Sequence, residues 1–206
     1  MKILVLNSGS SSQKISLFDL GETLPDDPPV CLWDARVEWD DGGATFATKT
    51  LNGITRRGRV EIASRPKALE HLLKELWSGE QHVLSSSSEI DVAGHRIVHG
   101  GAEYEQPVVI TSEVKSRIAR ALKFAPLHNR AELEGVEMIG KLLGPIPQVA
   151  VFDTGFHRSM PLSAAIYPGP YEWWDEGIRR YGFHGIISIA PAGRHSFLAG
   201  TSRRSS

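Results

Sequence analysis

Short apolar runs separated by helically periodic segments restrict what this chain can fold into. Residues 3–6, 91–99 and 148–152 read as buried strands, each too short for a stable helix of its own. Between them, residues 66–78 place Leu69, Leu72, Leu73, Leu76 and Trp77 at helical spacing, opened by Pro66. Residues 114–124 do the same with Val114, Ile118, Ala121 and Leu122. A third helix is expected from Asn129 as its cap, with Glu132 as the capping-box partner. Its buried face is Leu133, Val136, Ile139 and Leu143, and Pro145 and Pro147 end it. Strands alternating with helices argue for an α/β domain. The 206 residues, 41% hydrophobic, suit one large domain or one domain with an appendage.

The opening adds antiparallel structure. The strand at 3–6 runs into a tight polar turn, Asn7-Ser8-Gly9-Ser10-Ser11-Ser12, and a second strand follows at 14–20, where Ile15 and Leu17 fall on the opposite phase to Ser16 and Phe18. Residues 22–30, rich in Pro and Asp, read as a loop, and 31–63 as short antiparallel strands carrying Trp33, Val37, Trp39, Phe46 and Ile54. Residues 85–88 read as a polar linker. Residues 187–206 have no sustained period and are expected to be poorly ordered. There is no internal repeat.

Composition narrows the partners. With 23 basic and 24 acidic side chains the formal charge is −1, so no global field recruits nucleic acid or an anionic membrane. Anion binding must come from local placement of Arg and Lys. No run approaches the roughly 20 apolar residues of a membrane span. A lone cysteine, Cys31, offers no internal disulfide and fits a reducing compartment, so a cytoplasmic location is expected.

Several residues are of the type that carries chemistry. Small residues in the turn after Asn7 let backbone N–H groups approach an anion, with the Lys14 charge just beyond, although the same pattern also makes an ordinary hairpin turn. Asp153 ends a buried strand, where open α/β sheets bind ligands, although with Thr154 and Gly155 following it also reads as an ordinary turn-forming aspartate. Arg96, inside a strand, requires an anionic partner, either a structural carboxylate or a substrate. His95 and His99 are four apart, but four strand residues span roughly 13 Å, too far to share one metal ion. His128, His157 and His184 each follow an apolar residue near a turn, as polar contacts for an anion or as structural histidines.

Five blocks together resemble the acetate kinase family. They are Lys2-Ile3-Leu4-Val5-Leu6-Asn7-Ser8-Gly9-Ser10-Ser11-Ser12 with Lys14, Gly94-His95-Arg96-Ile97-Val98-His99-Gly100-Gly101, and Ala125-Pro126-Leu127-His128-Asn129. Val149-Ala150-Val151-Phe152-Asp153-Thr154-Gly155-Phe156-His157 and Ile178-Arg179-Arg180-Tyr181-Gly182-Phe183-His184-Gly185 complete the set. The resemblance covers residues 1–186 and implies an actin-like, sugar-kinase-like (ribonuclease H-like) α/β domain, a mixed sheet flanked by helices. It implies transfer of a phosphoryl group from ATP, with Mg2+, to acetate, giving acetyl phosphate and ADP.

Carried over by position, Asn7 assists magnesium, and Lys14, Ser10 and Ser12 contact the nucleotide phosphates. Arg96 holds the carboxylate or the phosphoryl group in flight. Val98, Leu127 and Phe183 line the methyl pocket, Asp153 is the central carboxylate, and His184 stabilises the transition state. Family members form homodimers through a second domain of comparable size, which also brings the adenosine pocket.

The resemblance stops where the family continues from Gly185 with a small hydroxyl residue, Ser and His. Here Ile186-Ile187-Ser188-Ile189-Ala190-Pro191 follows, and no counterpart of the second domain precedes Ser206. Residues 187–206 are therefore expected to be an out-of-frame tail, and the truncated chain to have weak activity or none. The rival functions are a kinase for propionate or another short acid, and a non-catalytic interaction module.

Overall fold

A computed structural model describes residues 1–184 except 10, 23–27, 41, 62–63, 81, 102 and 124–125. Ser10, most of the expected loop and the expected tail lie outside the described residues.

The chain opens as an antiparallel meander. Strands β1 (Lys2–Ser8), β2 (Ser12–Asp19), β3 (Val30–Asp40), β4 (Gly43–Thr50) and β5 (Thr55–Val60) pair in sequence order. The β4–β5 turn closes with the Gly53 N–H donating to the Thr50 carbonyl at 2.9 Å, and Gly53 takes φ +79°, open to glycine at no steric cost. Helix α1 (Arg65–Ser78) then leads to β6 (Val92–Ile97), which pairs parallel to β1. Next come β7 (Val108–Val109), α2 (Ser112–Arg120), α3 (Pro126–Leu143) and β8 (Gln148–Phe152), which lies parallel to β6. The described strands form one sheet in the order β5-β4-β3-β2-β1-β6-β8-β7. Short helices α4 (Leu162–Ala165) and α5 (Glu172–Asp175) follow.

Period-two alternation divides the sheet's two faces. Leu4 and Leu6, Ile15 and Leu17, Trp33, Ala35 and Val37, and Ala44 and Phe46 turn to one face. There they pack with Ala68, Leu69, Leu72, Leu73 and Leu76 of α1 and Met138 and Ile139 of α3. A smaller cluster joins Ile97, Ala150 and Phe152 to Val114 and Ile118 of α2. The intervening residues Asn7, Lys14, Arg96 and Val151 are half-buried on the opposite face. Register makes them neighbours, since Asn7 is opposite both Lys14 and Arg96, and Arg96 is opposite Val151.

Two helix starts differ from expectation. Helix α3 begins at Pro126, three residues before Asn129, because proline suits the first helical turn, where its missing N–H is not needed. Asn129 and Glu132 are therefore interior residues of α3 and not its cap. Helix α2 begins at Ser112, where the Thr111 hydroxyl accepts from the Val114 N–H at 3.2 Å, and after Arg120 it tightens into a 3-10 turn.

Candidate active site

The parallel strands β1, β6 and β8 are sheet neighbours, and their C-terminal ends come together. Asn7 is the penultimate residue of β1, Arg96 the penultimate residue of β6, and Asp153 follows β8 directly. Arg96 joins the three. Its Nε donates to Asp153 Oδ1 at 3.0 Å, its Nη2 donates to Asp153 Oδ2, and its Nη1 donates to Asn7 Oδ1 at 2.9 Å. The fork meets the carboxylate at two points, which fixes the plane of the guanidinium as well as its position. The Asp153 side chain is 1% exposed and that of Arg96 18%, so the pair is nearly dry with its open side on the arginine. The anionic partner that Arg96 requires is thus a carboxylate of the chain itself.

The turn between β1 and β2 closes through the Gly9 N–H, which donates to the Ser12 carbonyl at 2.8 Å. Ser12 opens β2, and Lys14 stands opposite Asn7 on the same face as Arg96. Val98 follows β6 at once and is half-buried. Leu127 lies in the first turn of α3, and its side chain is outside the described residues.

The segment after Phe152 and the stretch before Gly185 approach each other. His157 Nε2 donates to the Phe183 carbonyl at 3.0 Å, and the rings of Phe183 and Tyr181 lie 5.7 Å and 4.5 Å from that of His99. His184 is the one non-glycine residue of positive φ among those described, at 58°, a conformation that surrounding structure must enforce.

Residues 98–101 are tied down atom by atom. The Val98 N–H donates to both Glu132 oxygens at 3.1 and 3.2 Å, and Asn129 Nδ2 donates to the His99 carbonyl at 3.2 Å. The Gly100 N–H donates to Thr154 Oγ1 at 3.3 Å, and the Gly101 N–H to His99 Nδ1 at 2.9 Å. A Cβ on Gly100 would lie 2.8 Å from the Phe152 ring and 2.9 Å from the Tyr104 carbonyl. Gly100→Ala is therefore expected to cost about 1–3 kcal/mol in urea unfolding, because neither the buried ring nor the backbone has room to retreat.

Glu132 and Asn129 are the site-adjacent residues that a capping-box reading conceals. The signal was present, since counting back from Ile139 and Val136 by helical steps reaches 132 and 129, so both continue the buried stripe of α3. Burial pushes the Glu132 carboxyl up to about 8; the Val98 N–H and the Arg96 charge oppose this and Asp153 adds to it. His95 faces the core, with its Nε2 donating to Gln148 Oε1 at 2.8 Å, and burial lowers it to about 4. Among the described residues no three His, Cys, Asp or Glu side chains converge as a metal site. Asn7 Oδ1 and both Asp153 oxygens accept from one guanidinium, so as arranged they do not present a magnesium cage. None of the described helices is long and apolar enough to cross a membrane.

A mixed sheet begun by an antiparallel meander, continued by parallel strands, and gathering polar residues at their ends defines the class. This is an actin-like, sugar-kinase-like domain of the ribonuclease H-like type. The chain belongs to the acetokinase family, whose family model matches residues 2–190. It is 54% identical over 188 residues to an acetate kinase of a Cyanothece species, covering 90% of this chain and 46% of that protein. To an acetate kinase of Acaryochloris marina it is 52% identical over 187 residues, covering 90% and 47%.

The crystal structure of Porphyromonas gingivalis acetate kinase superimposes with a TM-score of 0.80 at 38% identity, over 89% of this chain and 45% of that one. A propionate kinase from Francisella tularensis gives 0.76 at 33% identity, over 89% and 45%. The chain thus spans about half the length of the relatives it matches.

Proposed function

We propose that this chain carries the acyl- and phosphoryl-binding half of an acetate kinase-type site, with residues 1–186 as the domain unit and 187–206 outside it. The supporting observation is the Arg96 fork, held in plane by Asp153 and Asn7 where three strand ends meet, in a chain of the acetokinase family.

Phosphoryl transfer asks a protein mainly for in-line positioning and charge neutralisation. Arg96 offers both, because its plane is set before a ligand arrives and its open side meets an incoming carboxylate or phosphoryl oxygen. Asp153 keeps the guanidinium aimed and His184 stands to donate to the migrating group. Val98, Leu127 and Phe183 are the family's candidates for a methyl pocket. Lys14, Ser10 and Ser12 would take the nucleotide phosphates, and Asn7 is the residue that the family assigns to assist the metal. ATP and Mg2+ enter this reading through the family. A bound Mg2+ would supply neutralisation of phosphate charge, while Asn7 Oδ1 and both Asp153 oxygens are engaged by Arg96.

Propionate is a second acceptor to consider, because a propionate kinase shares the fold at 33% identity. One methylene changes discrimination by only about 1–3 kcal/mol.

The test is hydroxamate trapping of acetyl phosphate from ATP, Mg2+ and acetate, with Asp153→Ala beside the wild type. Trapped product is expected to be very low for this chain alone, since the family's adenosine contacts belong to its second domain. Product above the Asp153→Ala background assigns phosphoryl transfer to this chain. Failure of inorganic phosphate to perturb Arg96 in a folded chain overturns the reading altogether.

A further inference from the structure

The polypeptide leaving β6 is gripped by one helix at two successive residues. Glu132 takes the Val98 N–H with both oxygens, and Asn129, one turn earlier on α3, takes the His99 carbonyl. Asn129 Nδ2 also donates to the Ile118 carbonyl at 3.3 Å, which ties the last turn of α2 to the same point. Both side chains are buried, Asn129 at 0% exposure and Glu132 at 2%.

Such stripe positions on a helix ordinarily hold leucine or valine. Glu132 gains nothing from packing that leucine would not give. Among the described residues its hydrogen bonds go to the Val98 amide alone. That amide is the first beyond the β6–β8 ladder, whose last pair is Ile97 with Phe152, so no strand partner fixes it. Two residues earlier stands Arg96. Where the chain turns after Ile97 therefore depends on the contact that Glu132 makes, and the base from which the guanidinium reaches Asp153 and Asn7 depends on that turn.

We propose that Glu132 is a positioning residue of the site, which by holding the Val98 amide sets the β6 exit and so aims Arg96 at anionic ligands, with Asn129 fixing the same segment through His99. This rests on the reading of Arg96 as the anion contact. The charges facing Glu132 are Arg96 on β6, which attracts its carboxylate, and Asp153 after β8, which repels it. Burial keeps most of its population protonated at neutral pH, so the Arg96–Asp153 pair stays balanced and an arriving anion meets no second negative charge.

The test is NMR of the 15N-labelled full chain, reading the Val98 amide and the Arg96 Nε–Hε resonance in wild type, Glu132→Gln and Glu132→Ala. Inorganic phosphate is the probe ligand, and Arg96→Ala is the control for its site. Glu132→Ala is expected to move both resonances and to weaken phosphate about tenfold, while Glu132→Gln, which keeps an acceptor oxygen, restores phosphate affinity to within about threefold. An Arg96 resonance and phosphate affinity unchanged in Glu132→Ala, or a Gln variant no better than the Ala variant, overturns the proposal.

If Glu132→Ala does not fold, the pH titration decides. In wild type the Val98 and Arg96 signals should move together with a midpoint near the Glu132 value of about 8, and both should stay flat in Glu132→Gln. An Arg96 signal indifferent to that titration overturns the proposal. Phosphate that leaves wild-type Arg96 untouched, while Arg96 still follows Glu132, defeats the phosphoryl-site reading and leaves the positioning role standing.

Discussion

Arg96→Ala is expected to destabilise the domain by about 3–5 kcal/mol at pH 7, more than Asp153→Ala does. The asymmetry follows from burial. Without Arg96, a carboxylate 1% exposed loses both of its charge-assisted bonds and has no water to replace them. Without Asp153, a guanidinium 18% exposed keeps its bond to Asn7 and reaches solvent. The two substitutions should also be strongly non-additive, because each removes the same pair. Urea midpoints of the two single variants and the double variant measure this. Equal losses for the two single variants would show that the pair is not the dry ion pair described.

The second large effect is a stability profile with opposed slopes. Glu132 stands at about 8 in the fold against an ordinary value of 4.5. Between those values the folded chain holds a proton that the unfolded chain has released, so this group makes stability fall as pH rises, and the loss is complete above about 8. His95 acts in the other direction. Its folded value is about 4 against an ordinary 6.5, so its contribution is full above 6.5 and is lost as pH falls toward 4.

Between 4.5 and 6.5 the slopes of Glu132 and His95 oppose each other, with the burial-lowered His99 adding to the rise, and wild-type stability should decline above 6.5, where Glu132 acts without the histidines. Each slope is on the order of a few kcal/mol at most, since one pKa unit corresponds to roughly 1.4 kcal/mol. In Glu132→Gln the decline above 6.5 should vanish, and stability should instead climb from pH 4.5 to 6.5 under His95, with His99, which burial also lowers, adding to the climb. Chemical unfolding at half-unit pH steps checks this. A Gln variant with the wild-type profile would mean that Glu132 does not hold its proton in the fold.

Strand β8 and the arrival of Asp153 at its end were legible from residues 148–152, because a short apolar run between prolines and a polar turn has few other readings. The need of Arg96 for an anion was legible from the cost of a buried guanidinium, but which anion was not. Asp153 is distant in sequence, and only the β6–β8 register brings it near. Residues 31–63 read as short strands, yet β3 runs from Val30 to Asp40, its length set by pairing on both sides and not by its own alternation. Strand β7 has only two residues, too few for any period, and exists because β8 offers it an edge. At α3 the Asn129–Glu132 spacing matched a cap, and Pro126 placed the helix start elsewhere. Spacing alone does not separate a polar residue at a helix end from one bonded across the interior.

The alternation that divides the sheet's faces has a further consequence for folding. Sliding β6 by one position against β1 and β8 would carry Arg96 into the leucine-rich layer and turn Ile97 outward. In-register pairing instead delivers Arg96 to its carboxylate and Ile97 to α2. The arginine thus serves as a checksum on strand alignment, since a misthreaded sheet would strand a charge in oil, and the group that meets the ligand also discards wrong assemblies before any ligand arrives.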